Sequence, residues 1–276
     1  MTRKCSILAA SLLASVLGVT LSSAQTQYVR YSVDGGDIAW GVLEDAFINR
    51  LSDAPYLGGK QTGHWTRRSA VRLEAPVDPK LILMTAFNFR SHITGEPAEY
   101  PGMFIVPANS LVGPEDPIIR PAEAKDLHYE AKLVVIVGKQ AAHVSEEDAP
   151  DYIFGVTAGN DVSERVWQAN DIQWVRAKGS RGFNAVGPVM VTGLDETNLE
   201  IVGRFNGKET QRGNTSDFVF SMAYMLSYIS KYVTLEPGDL IWSGTMGSTL
   251  AMKPGDLYEV EIAGVGTLRN HVKQGK

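Results

Sequence analysis

Short apolar runs separated by polar turns predict a chain built mainly of β-strands. Residues 81–89, 133–137 and 153–158 are apolar and rich in β-branched side chains, which is typical of buried strands. Two Pro-Gly-Asp turns, at residues 237–239 and 254–256, separate further apolar segments near the carboxyl terminus. This pattern predicts a β-rich roll or barrel-like core.

Two segments show a helical spacing of apolar residues. Residues 42–51 predict a short amphipathic helix. Residues 214–232 predict the clearest helix of the chain, capped by Thr215 or Ser216. Its apolar stripe, which we interpret as facing the core, consists of Phe218, Met222, Met225, Leu226 and Ile229.

The pattern divides the chain into three parts. Residues 1–24 form a leader, residues 25–77 form a small N-terminal subdomain of short mixed elements, and residues 78–276 form the main domain. Pro76 and Pro79 mark the join between the last two parts. The predicted fold class is mixed α/β and β-rich, with helices that flank the core.

The amino terminus has the three parts of a secretory signal. A basic segment, residues 2–4, precedes an apolar or small stretch at residues 6–21, and small residues at 22–24 resemble a signal peptidase site. The apolar stretch is short for a membrane span. We therefore expect an exported protein, periplasmic or secreted, that has no membrane segment after cleavage.

Composition narrows the classes of function. The chain has 276 residues, 44% of them apolar and 21% charged, which is typical of a globular protein with a sizeable core. A formal net charge of −5 offers no electrostatic basis for nucleic-acid binding. The single cysteine, Cys5, lies in the leader, so the mature chain can form no disulfide, thiolate nucleophile or cysteine metal site.

Charged residues lie at the ends of two predicted strands. In an extended chain Glu130 and Lys132 point to the same face, just before the strand at 133–137. Asp161 follows the strand at 153–158. Carboxylates presented at strand ends suit Mg²⁺ or Mn²⁺, but solvated turns and helix caps account for most such residues. These residues alone leave both alternatives open.

Several blocks of the sequence resemble the fumarylacetoacetate hydrolase family. They include N-F-R-S-H at 88–92, H-Y-E-A-K at 128–132, G-N-D at 159–161, R-A-K-G at 176–179 and S-G-T at 243–245. The resemblance extends over roughly residues 80–272, in the order and spacing of the family. It implies a β-roll core and a homodimer.

The resemblance also implies a metal site, from which this sequence departs. In that family two glutamates and a later aspartate hold one Mg²⁺ or Mn²⁺, and the matching positions assign Glu130 and Asp161 as ligands. Lys132 occupies the position of the second glutamate, and an ammonium cannot ligate a cation unless it is deprotonated. Three interpretations follow: weakened metal binding, replacement of the metal by the Lys132 ammonium, or an inactive site.

Catalytic and substrate-binding roles follow from the same resemblance. His92 matches a lid histidine that acts as a general base, with Glu96 as its carboxylate partner and Glu99 as the second choice. Lys178 matches a lysine that stabilises an enolate or oxyanion. Substrate contacts are expected from three further residues, Gln173, Arg176 and Thr245.

The implied function is metal-assisted chemistry on a small 2-oxo or 1,3-dioxo acid. An enolate intermediate is compatible with C–C bond hydrolysis, decarboxylation, hydration or isomerisation. The alternative that follows from Lys132 is an exported, metal-independent protein that binds a small molecule, or an inactive homologue. If a chelator changes the thermal stabilisation that a ligand produces, the site is centred on a metal ion.

Overall fold

The structure, a computed structural model, describes residues 25–276, so the predicted leader lies outside the described residues. The first five strands, β1–β5, are Thr26–Ser32, Ile38–Glu44, Phe47–Leu51, Gln61–Arg67 and Arg72–Leu73. Strands β6–β14 are Ile82–Ala86, Gly102–Val106, Leu111–Val112, Ile118–Arg120, Leu127–His128, Ala131–Val137, Ile153–Asp161, Ser163–Glu164 and Asn184–Thr192. Strands β15–β19 are Glu200–Phe205, Lys208–Asn214, Leu240–Trp242, Leu257–Ile262 and Gly266–Gln274. The α-helices α1–α3 are Arg165–Asn170, Val175–Gly179 and Met222–Ser230.

Two packed sheets form the body of the protein. The larger sheet has twelve strands, in the order β4-β3-β2-β1-β14-β12-β11-β17-β6-β7, with β5 paired to β1 and β8 paired to β14. The smaller sheet has five strands, in the order β16-β15-β18-β19-β9, and contacts the larger one through β15, β18 and β19. These sheets and three short helices confirm the predicted mixed, β-rich fold class. None of the helices within residues 25–276 is long and apolar enough to cross a bilayer.

The core explains why the chain contains continuous apolar runs. Leu133 and Val135 of β11 point into the cluster between the two sheets. Val134 and Ile136 point to the opposite face, into a second cluster that contains Trp242. Because both faces of β11 are covered, all of its residues are buried, and an alternating pattern is absent from its sequence.

The N-terminal strands extend the larger sheet. β1 pairs antiparallel with β14, so residues 26–67 form one side of that sheet. Tyr56 packs edge-on against Trp40 and Phe154, with ring centroids 5.5 and 6.2 Å away. The predicted subdomain of residues 25–77 is thus joined to the main sheet by backbone pairing and aromatic packing. Its boundary stays a prediction.

The helix predicted for residues 42–51 is wrong. This segment forms the β2–β3 hairpin, in which Leu43 pairs with Ile48 and Asp45 adopts a φ of 53° at the turn. Ile48 is buried, whereas its neighbour Phe47 is exposed, as expected for alternating faces of a strand. Pairing with β1 satisfies the backbone of this hairpin, and that partner is not visible in the local periodicity.

The helix predicted for residues 214–232 is limited to α3. Thr215–Asp217 form only a 3₁₀ turn. The Asn88 side chain then donates to the Phe220 carbonyl at 3.0 Å and accepts from its N–H at 2.8 Å, which keeps the residues just before α3 out of the helix. Ser221 therefore caps the helix, because its Oγ accepts from the Tyr224 N–H at 3.0 Å. The apolar stripe within α3 is buried as predicted, at Met222, Met225, Leu226 and Ile229.

Both predicted Pro-Gly-Asp turns are present. Gly238 and Gly255 have φ values of 94° and 96°, which glycine adopts readily. The carboxylates of Asp239 and Asp256 each accept from a backbone N–H three residues earlier, at 2.8 and 2.7 Å. These turns therefore owe their shape to local hydrogen bonds that the sequence itself specifies.

Candidate active site

Strand pairing brings the predicted acidic residues together. In the β11–β12 pair, Ala131 lies opposite Asn160 and Lys132 lies opposite Gly159. The Asp161 N–H donates to the Glu130 carbonyl at 3.0 Å, so the two acidic residues are neighbours at the end of the pair. The antiparallel pairing of β11 with β12 therefore makes Glu130 and Asp161 neighbours, although they are far apart in sequence.

Four charged side chains meet at this point: Glu130, Lys132, Asp161 and Lys178, which we call the charge cluster. The Lys132 Nζ lies 2.6 Å from Asp161 Oδ2 and 3.4 Å from Glu130 Oε2. The Lys178 Nζ, from α2, lies 2.9 Å from Asp161 Oδ2 and 3.0 Å from Glu130 Oε2. Each of the four residues is at most 4% exposed. Both lysines thus share the same two carboxylate oxygens.

Arg165 is a fifth charged residue of the site, which sequence analysis missed. It begins α1, whose first turn is capped by the Glu164 carboxylate, an acceptor for the Trp167 N–H at 2.6 Å. The Arg165 guanidinium lies 2.8 Å from Glu130 Oε1. The signal in the sequence was its place four residues after Asp161, at the start of a helix that follows a site strand.

The three cations and two carboxylates of the site shift the pKa values of Glu130 and Lys178. Burial alone would raise the pKa of Glu130, but Lys178, Lys132 and Arg165 hold this pKa well below its ordinary value. Glu130 is therefore ionised at neutral pH. Burial lowers the pKa of Lys178, and the attraction of Asp161 and Glu130 opposes that effect.

A cavity of about 310 Å³ lies beside the charge cluster, a size that fits a small molecule. Its polar lining consists of His92, Glu130, Arg165, Gln168, Lys178 and Thr245, and aromatic rings of Phe87 and Trp174 complete the wall. The structure thus brings four of the predicted residues, His92, Glu130, Lys178 and Thr245, to one cavity.

His92 lines this cavity from the end of a 3₁₀ turn, Arg90–His92. Its Nδ1 lies 2.5 Å from the Gly247 carbonyl oxygen. A carbonyl can only accept, so Nδ1 carries the proton, and in the neutral ring Nε2 retains a free lone pair. His92 is therefore oriented as a base, by a backbone carbonyl and not by a carboxylate.

Three other predicted site residues lie outside the cavity lining. Glu96 is exposed and, within the described part of the chain, forms no hydrogen bond to His92, while the second choice Glu99 accepts from Tyr100. Gln173 is exposed near the start of α2, and Arg176 turns outward to pair with Asp171 at 2.6 and 2.7 Å. Only one face of the short helix α2 is buried, and it presents Ala177 and Lys178. The roles of Glu96, Gln173 and Arg176 stay predictions without support from this geometry.

The residues present do not fit Mg²⁺ or Mn²⁺. Between residues 25 and 276, no group of three His, Cys, Asp or Glu side chains is arranged to hold a metal ion. The two carboxylates assigned by resemblance already pair with two ammonium groups and one guanidinium. Asp161 Oδ1 has no hydrogen-bond partner among the described residues, but a single carboxylate oxygen without a paired cation would leave nearly all six ligand positions of the ion to water. A dication here would also face three like charges.

Two family models together match most of the chain. The family model described as fumarylacetoacetate (FAA) hydrolase C-terminal matches residues 82–273. A second model, described as Rv2993c-like, N-terminal, matches residues 26–76. The first match alone covers more than half of the chain and includes every residue of the charge cluster.

Individual relatives share both sequence and fold. The oxaloacetate tautomerase fahd2 of Xenopus laevis mitochondria is 35% identical over 225 residues, which are 76% of this chain and 70% of that protein. A 2-hydroxyhepta-2,4-diene-1,7-dioate isomerase from Mycobacterium marinum is 34% identical, with a TM-score of 0.85 over 91% of this chain and all of that chain. A maleylpyruvate hydrolase from Sphingobium sp. SYK-6, solved with manganese(II) and pyruvate, is 26% identical, with a TM-score of 0.75 over 91% of this chain and all of that chain. The chain belongs to the fumarylacetoacetate hydrolase family, and the relatives named above are a tautomerase, an isomerase and a hydrolase.

Proposed function

We propose that the protein catalyses proton transfer beside the carbonyl of a small 2-oxo acid, that is, a tautomerisation or isomerisation through an enolate. The observation that carries this proposal is the pairing, in one cavity, of a free base, His92 Nε2, with the cations Lys178 and Arg165. The names of the relatives, a tautomerase and an isomerase, support the same class of reaction.

The charge of the site favours an anionic ligand. Lys132, Lys178 and Arg165 are cationic, and Glu130 and Asp161 are anionic, so one positive charge is left uncompensated. A 2-oxo acid brings a carboxylate that neutralises this excess. The Arg165 guanidinium is the side chain suited to bind that carboxylate, because its N–H groups can form paired hydrogen bonds.

The Lys178 ammonium is placed to stabilise an enolate. Two of its three N–H bonds are taken by Glu130 and Asp161, and the side chain lines the cavity. The remaining N–H can therefore donate to the carbonyl oxygen of the ligand. Negative charge that develops on this oxygen is stabilised strongly because the site is buried and has a low dielectric constant.

His92 completes the reaction by moving the proton. In this scheme Nε2 removes a proton from the carbon next to the carbonyl, and the bonding electrons pass to the carbonyl oxygen. The Gly247 carbonyl continues to accept from Nδ1 and supports the imidazolium that forms. Return of the same proton to the oxygen or to another carbon yields the tautomer, so atoms and charge balance without a co-reactant.

Hydrolysis of a C–C bond fits this site less well than tautomerisation. Activation of water by a histidine is usually assisted by a carboxylate that orients the ring. Glu96, the residue predicted for that task, is exposed and does not reach His92. A reaction that only relocates a proton needs no such activated water.

A metal-independent binding protein is the second candidate. It is favoured by one observation, the buried pairing of Lys132 with both carboxylates, which occupies the oxygens that would otherwise hold a metal ion. The two candidates differ in one measurable property, which is turnover.

Turnover can be tested with oxaloacetate, whose enol absorbs in the ultraviolet. We expect the chelator-treated protein to accelerate enol–keto exchange, and His92→Ala and Lys178→Met each to lower that rate by about 100-fold or more. Lys208→Met, at the exposed first residue of β16, is the matched control and should retain the full rate. Absence of turnover on oxaloacetate and other small 2-oxo acids, with saturable pyruvate binding retained, would favour the binding protein. Full activity in both site variants would refute the roles assigned here.

A further inference from the structure

We infer that the Lys132 ammonium is a built-in cation that stands where a divalent ion would contact Glu130 and Asp161, and that it sets the position of Lys178. The inference concerns the same cavity as the proposed function and rests on it for its catalytic consequence. Its structural content, however, can be tested by metal binding alone.

The Lys132 ammonium is held on all sides. Besides its contacts of 2.6 Å to Asp161 and 3.4 Å to Glu130, it donates to the Thr85 carbonyl of β6 at 3.0 Å. The ammonium therefore forms one hydrogen bond, to this backbone carbonyl, and ion pairs with both carboxylates. The side chain is 1% exposed and is not part of the cavity lining. Lys132 is therefore a positioning residue and not a contact of the substrate.

The same oxygens cannot serve the ammonium and a metal ion at once. An ion in contact with both Glu130 Oε2 and Asp161 Oδ2 would have to lie between them, and the Lys132 Nζ already occupies that space. Mg²⁺ requires oxygen ligands at about 2.0–2.1 Å and near-octahedral geometry. Lys178 shares both oxygens as well, which leaves neither of them free.

Lys132 acts on the cavity through the two carboxylates. Burial of two carboxylates without compensating positive charge would cost free energy of folding. Two ammonium groups supply that charge, one from a strand and one from a helix. Lys132 comes from β11, whereas Lys178 comes from α2. With the carboxylates fixed by Lys132, the Lys178 ammonium is bound by two acceptors and directs its third N–H toward the ligand. A side chain thus supplies the fixed positive charge that a resident ion would otherwise provide.

One substitution should convert the built-in cation into a metal site. Lys132→Glu would place a third carboxylate beside Glu130 and Asp161, which is the type and number of ligands that Mn²⁺ prefers. Lys132→Gln removes the charge but contributes only a neutral oxygen, so weaker Mn²⁺ binding is expected. Lys208→Glu, at the exposed first residue of β16, makes the same change of net charge away from the site and serves as the matched control.

The test is a titration of Mn²⁺ into chelator-treated protein, followed by calorimetry and by loss of the free-ion electron paramagnetic resonance signal. We expect no stoichiometric binding below 1 mM (order of magnitude) in the unaltered protein or Lys208→Glu, and about one ion per chain in Lys132→Glu. If Lys132→Glu does not fold, as judged by circular dichroism, the test relies on Lys132→Gln, which should bind Mn²⁺ more tightly than the unaltered protein does.

Micromolar, stoichiometric Mn²⁺ binding by the unaltered protein would overturn the inference, as would the failure of both folded variants to gain binding. These outcomes are separate from turnover. A protein that binds no Mn²⁺, gains it through Lys132→Glu, and yet converts no oxo acid would refute the proposed function and leave the built-in cation established.

Discussion

At the residue scale, Arg165 links the charge cluster to the cavity. Its guanidinium forms an ion pair with Glu130 Oε1 at 2.8 Å. It also donates hydrogen bonds to Gln168 Oε1 at 2.8 Å and to Thr249 Oγ1 at 3.1 Å. Three different segments therefore fix one planar cation at the cavity wall. Such a fixed guanidinium loses little side-chain entropy when an anion binds, which favours recognition of a carboxylate.

Arg165→Gln should weaken the binding of small oxo acids. Loss of charge-assisted hydrogen bonds to the ligand carboxylate should cost about 1.5–3 kcal/mol, or roughly 10- to 150-fold in Kd. Calorimetry with pyruvate measures this change. Arg212→Gln removes an exposed guanidinium that pairs with Glu200 and Glu209, and it should leave pyruvate binding unchanged. Equal affinities of Arg165→Gln and unaltered protein would show that another residue binds the carboxylate.

At the element scale, Tyr56 packs the N-terminal part of the larger sheet against strand β12 in the same sheet. Its ring packs against Trp40 and Phe154 and over Gly238, where an added Cβ would lie 2.6 Å from the ring. Its hydroxyl accepts from the Asp78 N–H at 3.3 Å. Gly238 is needed here both for its positive φ and for this close approach.

Tyr56 should make the fold sensitive to alkali. Burial raises the pKa of Tyr56 to about 12, whereas an unfolded tyrosine has a pKa of about 10. The folded state therefore retains a proton that the unfolded state loses, so this contribution is complete below about pH 10 and is lost as pH rises toward 12. Two pKa units correspond to about 2.7 kcal/mol at most.

Urea unfolding between pH 8 and pH 11 measures this effect (the range follows from the two pKa values). We expect the stability of Tyr56→Phe relative to unaltered protein to improve as pH rises through about 10. Tyr232→Phe, at a tyrosine that is 71% exposed, should show no such trend. Parallel pH profiles for Tyr56→Phe and unaltered protein would contradict the assignment.

At the scale of the whole molecule, export and assembly remain predictions. The predicted leader, residues 1–24, lies outside the described residues, and the homodimer is implied by the family resemblance alone. The described residues contain no cysteine, which agrees with export to an oxidising compartment.

Export can be tested by expressing the full chain in a bacterium and measuring the intact mass of the periplasmic and secreted protein. We expect the mature chain to begin at Gln25, because small residues at 22–24 suit signal peptidase. Ala24→Arg should block cleavage at this point and leave a longer chain in the membrane fraction. Recovery of the uncleaved full chain in the cytoplasm would contradict the predicted leader.

The β-rich fold class followed from local sequence patterns, whereas the site residues followed from the family resemblance. The Pro-Gly-Asp turns and the buried run of β11 reflect patterns within a few residues, whereas His92, Glu130 and Lys178 were assigned by their match to family motifs. The two helix errors have a common cause, because partners distant in sequence decide both segments. β1 imposes the hairpin on residues 42–51, and Asn88 keeps the residues just before α3 out of the helix.

The sequence by itself, through its match to family motifs, identified Glu130, Lys132, Asp161 and Lys178 as charges of the site, including the lysine at the position of an expected metal ligand, but it missed Arg165. Only the tertiary structure decided which ammonium groups pair with which carboxylates, and at what distances. The β11–β12 register joins Glu130 to Asp161, and α2 then adds Lys178 while turning Arg176 outward. Residue identity specifies the available charge and hydrogen bonds, but long-range pairing sets the distances on which electrostatic energy depends.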